Sequence, residues 1–89
     1  MKFLHQPEEC TVQEEHGRVL AVRWRERVWQ VKATLDVWTY RGNWWLDPSL
    51  QGERRTYHVL GTARGEIEVY QREHPDPEKR GWWVSAWWD

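Results

Sequence analysis

Cysteine, methionine and phenylalanine each occur once in these 89 residues, and Ile67 is the lone isoleucine. A single cysteine, Cys10, excludes an intramolecular disulfide. No stretch approaches the roughly 18 apolar residues of a membrane-spanning helix. The opening MKFLHQPEEC has no long apolar run and turns acidic at once, unlike a secretory signal. The expected compartment is therefore the reducing cytoplasm. Neither sign of charge dominates, with 13 basic and 14 acidic residues and a net charge of −1. Bulk attraction to nucleic acid or to a membrane is not expected from that balance. Residues 18–60 are locally basic, with eight Lys/Arg against Glu26, Asp36, Asp47 and Glu53, while both ends are acidic.

The chain also lacks the arrangements that carry catalysis. His5, Cys10, His16, His58 and His74 match no zinc spacing. Cys10 lies among carboxylates, which raise a thiol pKa and so disfavour a nucleophile. Ser49 has no base near it in sequence. Glu66 and Glu68 share a strand face about 6.6 Å apart, near the range of glycosidase pairs, but Arg54 or Arg55 could neutralise them across strands. No glycine-rich phosphate loop is present. No catalytic residue, cofactor or metal site is expected, and the chain does not read as an enzyme.

Tryptophan is abundant instead. Nine occur where a chain this long averages about one. Aliphatic side chains are few, and a domain this small buries only roughly 60–65% of its unfolded surface. Each Trp can bury about 150–250 Å², so a few of them would stabilise an otherwise thin core.

Hydrophobicity recurs every second residue. Leu20, Val22 and Trp24 alternate with polar or small neighbours. After a turn near Arg25–Arg27, so do Trp29, Val31, Ala33, Leu35 and Val37. The pattern predicts strands near 18–25, 27–38, 53–61, 65–72 and 82–88, with a tight turn at Gly61–Gly65 and a polar loop at 73–81. The second of these is long enough to require a bend or bulge. Residues 41–52, bracketed by glycines and broken at Asp47-Pro48, read as a loop folding back onto the sheet. The expected fold is all-β, an antiparallel meander of five to six strands curled into a small barrel or half-barrel. It forms one domain over 1–89, with residues 1–17 as an N-terminal arm and 18–89 as the meander. A short strand at Cys10–Gln13 is open, and Phe3 and Leu4 would clasp an open end of the sheet. The expected core is Trp29, Val31, Leu35, Tyr57, Val59, Ile67, Val69 and Val84.

Trp82-Trp83 and Trp87-Trp88 share one strand, and strand neighbours point to opposite faces. Ser85 shares parity with Trp83 and Trp87, so these two are expected outward, about 13 Å apart along that face. Three readings of the surplus Trp stay open: cover by the N-terminal arm or the 41–52 loop, a self-association surface, or a partner-binding surface.

The runs GNWWLDP, RRTYHVLGTARGEIEVYQRE and GWWVSAWWD resemble the C-terminal segment of ImuB-type proteins, relatives of bacterial Y-family DNA polymerases in damage-induced mutagenesis. They also resemble a family of small free-standing bacterial proteins of unknown function. The resemblance covers roughly residues 27–89. It departs at Val69-Tyr70-Gln71-Arg72-Glu73, where ImuB-type proteins commonly read Y-x-L-Y-R-D. It implies a docking module beside a repair polymerase, with Trp44, Trp45, Tyr57, Tyr70, Trp82 and Asp89 as fold determinants.

The leading expectation is thus a non-enzymatic protein-interaction module tied to a bacterial DNA-damage or translesion-synthesis system. Its partner would be a protein, such as a repair polymerase component, with a homo-oligomer also open and no membrane involved. The alternative is a small β-barrel that binds single-stranded nucleic acid, with bases stacking on Trp and phosphates held by Arg. The candidate binding residues are Trp83, Trp87, Trp44, Trp45, Arg23, Arg25 and Arg27.

Overall fold

A computed structural model of the chain describes residues 2–41 and 52–88. Seven antiparallel strands follow one another: β1 (Lys2–Glu9), β2 (Thr11–Glu15), β3 (Arg18–Trp24), β4 (Arg27–Arg41), β5 (Arg54–Thr62), β6 (Gly65–Glu73) and β7 (Gly81–Trp88). Their order across the sheet is β1-β7-β6-β5-β4-β3-β2, curled into a half-barrel. A 3₁₀ turn at Pro77–Lys79, capped by the Asp76 side chain, interrupts the polar loop before β7.

Residues 2–15 are strands rather than a loose arm. β1 pairs with β7 and β2 pairs with β3, yet only Cys10 separates them. The Cys10 amide donates to the Trp82 carbonyl at 3.1 Å. The N-terminal run therefore touches both ends of the strand order and draws them together. Pro7 fits there because a large irregularity between Phe3 and Glu8 relieves β1 of regular ladder bonds. Leu4 packs on the core, whereas Phe3, expected as part of a clasp, is exposed.

The turns follow from backbone chemistry. His16-Gly17 joins β2 to β3 with both residues at positive φ, which the right-handed twist of a two-residue hairpin requires. Arg25-Glu26 joins β3 to β4 in the same way, at φ 51° and 60°. Neither is glycine, so this second turn carries strain of roughly 1–2 kcal/mol per residue.

The core gathers Val19, Val22, Trp24, Trp29, Leu60, Ile67, Val69 and Val84. Trp29, Ile67, Val69 and Val84 are buried as expected and Val31 is half-buried, but Tyr57 and Val59 lie on the opposite face of β5 from Leu60, which takes the core position instead. Leu35 is not core: it is 52% exposed. A register shift between Thr34 and Asp36 leaves Leu35 as an unpaired bulge residue, and its side chain lies across Gly61. Val37 is 49% exposed for another reason. β3 pairs with β4 only as far as Gln30, so among the described residues nothing covers the inner side of the strand beyond it.

Truncating Ile67 to Ala should lower unfolding free energy by about 2–5 kcal/mol. Leu35→Ala should cost less than about 1 kcal/mol, as at other exposed positions. Urea denaturation of the two variants checks the assignment, and equal losses would refute it.

Candidate functional site

Two aromatic groupings stand out, and β7 contributes to both. Val69 pairs with Val84 and Glu68 with Ala86, so Ser85 is an extra residue between them. This β-bulge reverses the alternation that a plain strand would keep. Before it, Trp83 faces outward beside Tyr70. After it, Trp87 sits opposite fully buried Ile67 and packs on the core, while Trp88 is 55% exposed. The expectation that Trp83 and Trp87 share an outer face is therefore corrected. Trp83 is outward, Trp87 is inward, and Trp88 takes the outer place.

The outer grouping is a ladder of four rings in cross-strand register. Trp38 on β4 pairs with Tyr57 on β5, Tyr57 with Tyr70 on β6, and Tyr70 with Trp83 on β7. Ring centroids are 5.3, 5.0 and 5.7 Å apart, and the first and last pairs are stacked, at interplanar angles of 6° and 18°. Tyr70, in the middle, is almost fully buried, while Trp38 at the open end is 40% exposed. Burial raises the Tyr70 phenol pKa.

Two guanidinium groups lie on this ladder, Arg55 over Tyr70 and Arg72 over Trp83. Both donate to one carboxylate oxygen of Glu53, at 3.1 and 2.6 Å. Glu53 is 4% exposed. Burial alone would raise its pKa, but the two arginines outweigh burial and hold the carboxyl below its ordinary value. On the inner side His58 is buried beside Trp82, their rings 5.5 Å apart. Burial lowers the His58 pKa against a weaker opposing pull from Glu14.

The second grouping lies at the end of the half-barrel where the 25–26 and 63–64 turns meet. β3 and β5 run in the same direction, so the turns that follow them share that end. Trp24 is 6.0 Å from Trp29 and 6.2 Å from Trp87, all tilted. With Arg25, Arg27 and Arg64 they line a cleft of about 560 Å³. Arg25 covers the Trp24 ring at 4.4 Å and makes two bonds to Glu8, which also accepts from Trp24 Nε1 at 3.2 Å. The bonds from Arg25 hold the Glu8 carboxyl below its usual pKa. Trp29 Nε1 is buried with no hydrogen-bond partner.

Of the candidate residues read from sequence, Arg25, Arg27 and Trp87 converge on this cleft. Arg23 instead lines a neighbouring depression with Glu9, Cys10 and Thr11. Trp83 belongs to the ladder. Trp44, Trp45, Asp89 and the fold-back of residues 42–51 lie outside the described residues. Missed in the sequence were Trp38, Arg64 and the Glu53–Arg55–Arg72 clamp. Strand register links them: the 62–65 turn sets Arg55 opposite Arg72, whereas the bulges in β4 hide from simple alternation that Trp38 faces Tyr57. Burial pushes the Cys10 thiol up to about 12, so it is protonated at neutral pH. Among the described residues no three His, Cys, Asp or Glu side chains converge as metal ligands, and no helix is long and apolar enough to cross a membrane.

The pKa directions of His58 and of the two carboxylates Glu53 and Glu8 set the acid dependence of stability. His58 has a lowered folded-state pKa, so its contribution is complete above its ordinary 6.5 and shrinks as pH falls through that value towards the lowered one. Glu53 is also lowered, so its contribution is complete above 4.5 and is lost as pH falls through its folded value. The melting temperature should therefore drop in two stages on acidification, and His58→Asn should remove the upper stage. Glu53→Gln should shrink the lower one, leaving the share that Glu8 contributes, and cost about 1–3 kcal/mol at neutral pH, less than for a fully buried pair because both arginines are partly solvated. Thermal melts across the acid range check both. No protein-family model, curated protein or solved structure matches this chain.

Proposed function

We propose that the protein is a non-enzymatic interaction module of the bacterial cytoplasm, docking a protein component of a DNA-damage or translesion-synthesis system. The repair setting follows from the family resemblance of the Trp-rich segments. The observation that carries the docking role is the open end of the ladder. Trp38 stacks on Tyr57 and is 40% exposed, at a strand edge that no other strand occupies among the described residues. Val37, Trp38 and Tyr40 are each 40–49% exposed on that edge.

Such an edge favours a partner that adds an extended segment and sets an aromatic side chain against Trp38. The inner part of the edge is protected. Bulges near Lys32 and Leu35 break its regularity, and the Asp36 carboxylate accepts the Val37 amide at 2.9 Å. Both devices discourage indiscriminate strand pairing. The docking stretch is accordingly residues 37–41.

Trp38→Ala should weaken binding to a purified ImuB-type polymerase-like protein by at least about 30-fold, the 2 kcal/mol of an interface hot spot. Unfolding free energy should fall by less than the roughly 3–5 kcal/mol of a buried Trp→Ala change, because Trp38 is 40% exposed. Calorimetric titration of wild type and variant tests this. Undiminished binding by the variant, or none by the wild type, would overturn the reading.

A further inference from the structure

The cleft between the 25–26 and 63–64 turns is separate from the ladder. Trp83 lies near the start of β7 and Trp87 near its end, on opposite faces. We propose that this cleft binds single-stranded nucleic acid, with two backbone phosphates on Arg27 and Arg64 and one base against Trp87.

The three cations of the cleft are not equivalent. Arg25 is committed to Glu8 through a 2.7 Å ion pair and lies on Trp24. Arg27 and Arg64 have no carboxylate partner among the described residues, and both are exposed. They reach the cleft from different hairpins, and Arg64 Nε bonds the Val28 carbonyl at 3.4 Å, tying its turn to β4. Elsewhere in the fold paired arginines have a buried acid between them, as Arg55 and Arg72 have Glu53. Here the cleft that both arginines line is walled by Trp24, Trp29 and Trp87 and, among the described residues, by no carboxylate. Lys2 adds a further cation 5.0 Å from the Trp87 ring.

The strained turn at Arg25-Glu26 sets the first two arginines at the rim, and non-glycine residues at positive φ cluster at functional sites. Guanidinium groups match phosphate oxygens bidentately, and an indole offers a surface to any base. An acidic peptide would satisfy the arginines and leave Trp87 unmatched. A duplex keeps its bases inside the stack, out of reach of a concave site. The net charge of −1 provides no long-range pull, so attraction is confined to this end of the molecule.

The test is fluorescence anisotropy of a labelled oligothymidylate of about 10 nucleotides, a length one small barrel spans. Two phosphates held by the protein give a log–log salt slope of about −1.4, and Arg27→Gln or Arg64→Gln should each halve it to about −0.7. The double variant should lose binding at low salt while keeping the wild-type melting temperature. An oligoglutamate of equal charge should compete poorly. Absence of binding at low salt, an unchanged slope in both single variants, or equal competition by oligoglutamate would each overturn the proposal. Trp38→Ala should leave oligonucleotide affinity unchanged, so failure of the docking reading and failure of this one are distinguishable.

Discussion

The Ser85 hydroxyl donates to the buried Glu68 carboxylate at 2.6 Å, and the β-bulge at that hydroxyl decides which face each tryptophan of β7 occupies. Without the extra residue, Trp83 and Trp87 would share parity, and one indole cluster would lose a member to the other. With it, Trp82, Val84 and Trp87 all turn towards the core while Trp83 completes the outer ladder. Ser is well suited to the position. It is small enough for the tight bend, and its hydroxyl satisfies a buried carboxylate that has no other hydrogen-bond partner among the described residues. One side-chain hydrogen bond thus couples the two aromatic layers.

Those layers solve the problem of a short, aliphatic-poor chain. A single core of this size has room for only some of the Trp side chains, and the sheet uses both faces. Inside, Trp24 and Trp29 complete a cluster of Val, Leu and Ile. Outside, Tyr70 is buried by its neighbours in the ladder and by arginine side chains, so β6 is covered on both faces. Arginine can do this because its flat, weakly hydrated head stacks on a ring while its stem covers apolar surface. A lysine at position 55 or 72 would present a compact, strongly hydrated ammonium and cover the rings less well. The Glu53 carboxylate between the two heads removes the repulsion that such crowding would bring.

Period-two alternation places five of the strands and half of the core, Trp29, Ile67, Val69 and Val84, because these lie on strands where one face is distinctly more apolar than the other. It fails on β5, where both faces carry apolar residues and Leu60 rather than Tyr57 and Val59 enters the core, and wherever a bulge resets the count. Leu35 and Trp87 both sit at or after such a point, and both were assigned to the wrong face. The strand character of residues 2–9 was hidden for a different reason. β1 is irregular, contains Pro7 and exposes most of its side chains, so pairing with β7 rather than local pattern makes it a strand. The ladder was invisible because its four members lie 13 to 19 positions apart in the chain and meet only through register.

The arginines illustrate what sequence and structure each contribute to recognising a site. Clustering of Arg23, Arg25 and Arg27 in one hairpin marked that hairpin as basic, yet the three side chains take different surroundings. Arg23 turns to the seam beside Cys10, Arg25 is neutralised by Glu8, and Arg27 alone keeps an unpaired charge at the cleft. Arg64, far away in sequence, joins it because β3 and β5 end on the same side of the sheet. What separates a structural arginine from an available one is the nearby carboxylate, not the local density of positive charge. By that criterion Arg55 and Arg72 belong to the architecture. Arg27 and Arg64 have no such acid among the described residues, and of the arginines without one they are the two that line the aromatic cleft together.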